Sequence, residues 1–203
     1  MVVGITGGIG SGKSTVAHMF SKLENVAIYI ADIEAKKLMN TSKTIKGSLI
    51  ETFGAQTYIN NQLNRPYLAG IVFQDKNKLA VLNTIVHPVV HQHLNDFINK
   101  NRSKDYILYE NAVLFENGSD QICDKIITVT APLETKIARV VKRDGTTRKE
   151  VLQRVKNQWT DEKKLLLSHY KILNISLDIT NTKVLEIHNY LTKNKSTYKN
   201  ISL

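Results

Sequence analysis

One octapeptide, Gly7-Gly8-Ile9-Gly10-Ser11-Gly12-Lys13-Ser14, restricts the folds open to this chain more than any other segment. It satisfies the pattern G-x-x-x-x-G-K-[ST], in which backbone N–H groups converge into a cradle for a phosphate chain. The pattern needs a strand before it and a helix after it. Val2-Val3-Gly4-Ile5-Thr6 suits a buried strand, and Val16, Met19, Phe20 and Leu23 recur at helical spacing from Ser14 to Leu23. A chance match at the four fixed positions arises in roughly one random chain of this length in a hundred, and the strand–loop–helix context lowers that further. The dinucleotide fingerprint G-x-G-x-x-G fails: counted from Gly8 and Gly10, its third glycine falls on Lys13.

The loop assigns roles. Gly8, Ile9, Gly10, Ser11, Gly12, Lys13, Ser14 and Thr15 form the cradle for a nucleoside triphosphate, helped by the positive end of the following helix. Lys13 is placed to reach the β and γ phosphates, and the Ser14 hydroxyl to ligate Mg²⁺.

Around this loop, strand and helix signals alternate, which predicts an α/β fold with a parallel sheet flanked by helices. Strands are expected at Met1 to Thr6, Val26 to Ile30, Tyr106 to Tyr109, Lys125 to Thr130 and Tyr170 to Asn174. Between the second and third lie about 75 residues without a clear strand, far more than a crossover needs. They read as helices around Ala35–Leu38, Ile45–Thr52, Tyr67–Phe73, Lys76–Ile85 and Val89–Asn99, a helical insertion. Later, Leu133, Ile137, Val140 and Val141 form an apolar stripe, with Lys136, Arg139 and Arg143 on another face. The break Asp144-Gly145-Thr146-Thr147-Arg148 and a second amphipathic helix complete what reads as a lid. The expected division is a nucleotide core at 1–30, 105–135 and 168–203, an insertion at 31–104 and a lid at 136–167.

The bulk properties fit a soluble domain acting on small anions. The chain has 203 residues, 42% apolar, with a formal charge of +10. That charge suits either nucleic acid or highly phosphorylated small molecules; no nucleic-acid motif appears. Part of it lies in the tail from Lys193 to Leu203, which reads as a frayed end. The single cysteine, Cys123, excludes an internal disulfide and fits a reducing cytoplasm. No signal peptide or membrane span is visible, and a monomer is expected.

Phosphoryl transfer also needs cations for the moving group and a residue that orients the nucleophile. Asp32, directly after the second strand, is placed to accept a proton from an attacking hydroxyl or to bind metal; alternatively it caps a helix starting near Ile33. Glu110 ends the third strand, where it serves metal through a water or binds substrate; Glu116 is a weaker candidate, and either acid could be a solvated loop residue. Arg139, Arg143 and Arg148 are candidates for a phosphate clamp, since guanidinium groups bind phosphate oxygens in pairs and stay charged. Arg65 is a candidate for an acceptor phosphate, while His87, before Pro88, reads as a capping or packing residue rather than a base.

With these residues in hand, the chain resembles dephospho-coenzyme A kinases over nearly its full length. The opening Ile5-Thr6-Gly7-Gly8-Ile9-Gly10-Ser11-Gly12-Lys13-Ser14-Thr15 is similar to that family's form of the loop. Ala31-Asp32-Ile33, Phe53-Gly54-Ala55, Leu63-Asn64-Arg65 with Leu68, Leu82-Asn83 with His87-Pro88, Leu114-Phe115-Glu116, Arg143-Asp144 and Thr147-Arg148 follow in family order. The resemblance implies ATP-dependent phosphorylation of the ribose 3′-hydroxyl of dephospho-CoA by a core, a helical acceptor-binding part and a lid. It implies Asp32 as base, Lys13 with Arg139 or Arg143 on the phosphoryl group, Arg65, Leu68 and His87 towards the acceptor, and Arg148 and Asn174 near ATP. Three positions depart from the family pattern: Ile30 where an acid is frequent, Glu110 where aspartate is usual, and Leu173-Asn174-Ile175-Ser176 where Asp-Asn-x-Gly is familiar. Competing readings are a nucleoside or nucleotide kinase on the same core, a nucleotide switch and an ATP-using nucleic-acid binder. The switch lacks a guanine-reading Asn/Thr-Lys-x-Asp segment.

Overall fold

The computed structural model describes residues 1–199. The chain begins with β1 (Val2–Thr6), the phosphate loop, α1 (Lys13–Ser21) and β2 (Val26–Ile30). It continues through α2 (Ala31–Thr41), α3 (Lys43–Phe53), β3 (Tyr58–Ile59), β4 (Gln62–Leu63), α4 (Arg65–Val72) and α5 (Lys76–Lys100). The remainder is β5 (Tyr106–Glu110), β6 (Lys125–Thr130), α6 (Leu133–Asp144), α7 (Arg148–Lys156), α8 (Asp161–Leu166), β7 (Tyr170–Leu173) and α9 (Leu177–Lys199). Two compact units emerge: Met1–Tyr29 with the chain from Asn101 onward, and Ile30–Lys100.

The first unit holds a five-stranded sheet in the order β2-β5-β1-β6-β7. β1 runs parallel to β5, with Ile5 opposite Glu110, and parallel to β6, with Thr6 opposite Thr128. All five residues of β1 and of β5 are buried, as expected for parallel strands covered on both faces. Val16 and Phe20 of α1 and Val184, Ile187 and Leu191 of α9 pack with Val3, Ile5, Leu108 and Ile127 into one core. Elsewhere β1 is so closely covered that a Cβ at Gly4 would lie 2.8 Å from both Cys123 Sγ and a Leu114 methyl. Burial, then Asp120 and Asp124, push the Cys123 thiol up to about 12, so it stays protonated and inert, as its isolation in the sequence suggests.

The second unit has its own core of Ile45, Leu49, Phe53, Leu68, Val72 and Val86. Two expectations need correction here. The helices predicted on either side of Pro88 are a single helix, α5. Proline removes one helical hydrogen bond, but Leu79, Leu82, Ile85, Val86, Val89 and Val90 all pack into the same cluster, and that burial offsets the loss. The segment read as strandless contains the hairpin β3–β4, with Tyr58 opposite Leu63 and Ile59 opposite Gln62. Its turn is Asn60-Asn61, with φ of 49° and 64°, the backbone that two-residue hairpins need and asparagine tolerates.

A third correction concerns the tail. α9 runs to Lys199, so most of the segment read as a frayed end is helix, anchored upstream by Val184, Ile187 and Leu191 on the core; residues 200–203 of that segment lie outside the described residues.

Candidate phosphate-binding site

β1 delivers its chain to the carboxyl edge of the sheet, where crevices of such folds bind ligands. There the loop turns: Gly12 adopts φ 89°, ψ 25° at the N-cap of α1, and Val16 N–H bonds to Gly12 O at 3.1 Å. The space beside Gly12 is filled by Asn174 Nδ2, so any side chain there would meet both a strained φ and that amide. Gly10, at φ 78°, faces the backbone carbonyl of Lys136 in the same way.

The loop is braced from several elements of the first unit. Asn174, just after β7, donates to Ser11 O at 2.9 Å, and its own oxygen accepts from the Thr180 hydroxyl at 3.1 Å. The resemblance implies Asn174 near ATP; here it supports the loop directly. Arg139 on α6 donates to Asn174 O at 3.0 Å and to Gly10 O at 3.5 Å. Ile9 packs on the cluster of Ile137, Val140 and Val151, tying the loop to α6 and α7. Its N–H is taken by Gln158 Oε1 at 2.9 Å.

At the mouth of the loop, Lys13 Nζ lies 4.0 Å from Glu110 Oε1, with the two side chains only 11% and 7% exposed. Ser14 and Thr15, in the first turn of α1, are exposed. Magnesium takes hard oxygen ligands and keeps much of its water. The Ser14 hydroxyl and Glu110 carboxylate are donors of that kind, and among the described residues no group of three or more His, Cys, Asp or Glu could hold an ion alone. Donors from a phosphate chain and water would have to complete such a site.

The other candidate arginines have local partners. Arg143 pairs with Asp144 at 2.7 Å, and Arg148 with Glu134 at 2.8 Å. Gly145, at φ 62°, ends α6, and a Thr147–Glu150 capping box starts α7. Glu116 is not the solvated loop acid it could have been. It accepts from Trp159 N–H at 3.0 Å and pairs at 2.8 Å with Lys164, a lysine with no exposed side-chain surface that also donates to Ala112 O at 2.8 Å. Burial raises the Glu116 carboxyl, but the bonds from Lys164 and from the Trp159 N–H outweigh it and leave its pKa lowered.

Asp32, Arg65, Leu68 and His87 belong to the helical unit. Asp32 is the second residue of α2, exposed in its first turn; the N-cap is Ile30, which corrects the capping alternative. Arg65 opens α4 after the N-cap Asn64 and is exposed. Leu68 is 5% exposed and sits in that unit's core. His87 lies on α5, its pKa lowered first by partial burial and then by His91 one turn on.

Sequence reasoning missed Lys136, Gln158, Asp161 and Lys164. Lys136 was visible on its helix face, but nothing local signals that Asp161 lies 2.7 Å from it. With Gly8, Ile9, Gln158 and Leu173 these two line a cleft of about 480 Å³.

Residues 1–178 match the family model for dephospho-CoA kinase. A dephospho-CoA kinase of Bacteroides fragilis is 36% identical over 172 residues, which span 85% of this chain and 83% of that protein. A crystal structure of a Thermus thermophilus protein aligns with a TM-score of 0.81 at 29% identity, over 94% of this chain and 96% of that one. A dephospho-CoA kinase of Campylobacter jejuni shares the fold, with a TM-score of 0.72 at 22% identity over 96% of this chain and 98% of its own. The architecture around the loop and these likenesses agree: the chain belongs to the dephospho-CoA kinase family.

Proposed function

We propose that this protein transfers the γ-phosphoryl group of Mg²⁺-ATP to the ribose 3′-hydroxyl of dephospho-CoA, giving coenzyme A and ADP, the last step of coenzyme A synthesis. The observation that carries the reading is a phosphate loop braced by Arg139 and Asn174, with Lys13 at its mouth, in a chain of this family.

The loop N–H groups and Lys13 hold the phosphates and meet the charge that develops on the transferring group. Arg139 adds a second fixed cation beside Gly10. Asp32 accepts the proton of the 3′-hydroxyl as its oxygen bonds to the γ-phosphorus, while the bond from that phosphorus to the β–γ bridging oxygen breaks and ADP departs. Bound magnesium neutralises phosphate charge; Ser14 would hold it directly and Glu110 through a water or towards substrate. Arg65 is suited to an acceptor phosphate, with His87 in the same helical unit and Leu68 shaping that unit from within. Arg143 and Arg148, on either side of the Gly145 turn, would leave their carboxylates for the nucleotide as that turn closes and excludes water. The inert Cys123 thiol suits the cytoplasm.

The test is ADP release with Mg²⁺-ATP and dephospho-CoA, adenosine, AMP or no acceptor. Release that depends on dephospho-CoA, with coenzyme A identified by mass, is expected. Release with adenosine or AMP alone would replace this reading with a nucleoside or nucleotide kinase.

A further inference from the structure

We propose that Lys136, paired with Asp161, is also a ligand of the nucleotide's phosphate chain, so that the pair sets ATP affinity by exchanging charge partners; the inference rests on the ATP-using reading above. The side of the loop formed by Gly8 and Ile9 is covered by three side chains. Lys136 Nζ lies 2.7 Å from Asp161 Oδ2, with the two side chains 9% and 12% exposed. The Thr130 hydroxyl donates to the same carboxylate oxygen. The Cβ position of Gly8 is 3.1 Å from Asp161 Oδ1 and 3.6 Å from Lys136 Nζ, and Gln158 Oε1 accepts the Ile9 N–H at 2.9 Å.

A loop suited to anions therefore faces a carboxylate and an amide oxygen. A phosphate chain entering this largely buried cleft brings several negative charges close to Asp161, where screening is weak. The nearest cation able to relieve that repulsion is Lys136. Its ammonium has three donors on a flexible stem, and its helix stays fixed because Ile137 and Val140 are packed beneath the loop. When the ammonium turns to a phosphate oxygen, Asp161 keeps the Thr130 hydrogen bond. An ion pair serving only to hold α8 onto α6 would have no reason to lie against Gly8.

Calorimetric titration of the full chain with Mg²⁺-ATP and, separately, with magnesium tripolyphosphate tests this. Asp161→Asn, which keeps an acceptor for Thr130, should bind both ligands about tenfold tighter than wild type, and Lys136→Gln about thirtyfold more weakly. Lys136→Arg, which keeps the charge, should stay within about threefold of wild type. A gain of affinity cannot come from misfolding, so Asp161→Asn is the deciding variant. Affinity in it equal to or weaker than wild type overturns the proposal; so does wild-type affinity in Lys136→Gln, or an effect on ATP absent with tripolyphosphate. A wild-type protein that binds Mg²⁺-ATP yet makes no coenzyme A would retire the acceptor assignment while these affinity ratios still stand.

Discussion

In the sheet-bearing unit β1 and β5 are buried at every residue, and the phosphate loop leans on partners from α6, the residue after β7 and the segment before α8. In the helical unit α2 buries no residue, and α5, 25 residues long, buries only Val86 and Leu94. That unit's buried core comes mainly from α3 and α4, through Ile45, Leu49, Phe53, Leu68 and Val72, and most of what α2 and α5 add to it is half-buried. The contrast follows from what each must bind. A transferring phosphoryl group tolerates little misplacement, so its cradle is overdetermined. Few buried contacts keep a region at the low-stability end of a protein, where parts that adapt to a ligand are found.

The sharpest way to break this division is to remove one function-bearing side chain from each unit. Lys13→Ala should lower turnover by about a thousandfold or more while the melting temperature stays close to wild type; wild-type turnover would detach Lys13 from the chemistry. Asp32→Asn should cost about a hundredfold in turnover and leave Mg²⁺-ATP affinity intact. If calorimetry showed ATP binding lost as well, the separation of donor and acceptor roles between the units would fail.

Packing supplies the smaller effects. Glu116→Gln leaves the fully buried Lys164 without its counter-charge and should destabilise by about 3 kcal/mol at neutral pH. The folded pKa of Glu116 is lowered, so its contribution is present above the unfolded pKa and is lost as pH falls through the folded value. Denaturant melts of variant and wild type should therefore converge in acid; a gap constant with pH would mean that the charge is not the cause. Glycines then compare the two units directly. Gly4→Ala meets Cys123 and Leu114 at 2.8 Å and should destabilise by ~1–3 kcal/mol. Gly47→Ala in α3 meets nothing within 4 Å and should stabilise by ~0.5–1 kcal/mol. The same sign for both would remove the packing contrast.

Much of this was legible from neighbours in sequence. The five sheet strands fall within one residue of their expected ends, and in β1, β5 and β6 burial on both faces leaves largely apolar runs. The Asn60-Asn61 turn carried a usable signal that the helical reading passed over. The two helices expected on either side of Pro88 are one, because shared burial on both sides offsets the hydrogen bond that proline removes.

The phosphate loop and its flanking strand and helix were determined by the sequence itself. Glycine freedom, apolar periodicity and the position of one lysine act over a few residues, and each demands the same local geometry. What leans on that loop was decided only by tertiary structure. Gln158 meets Ile9, Asn174 meets Ser11, Asp161 meets Lys136 and Glu116 meets Lys164 because sheet order and helix packing bring them together. A side chain's partner depends on which distant surface the fold presents to it, and no local pattern encodes that surface.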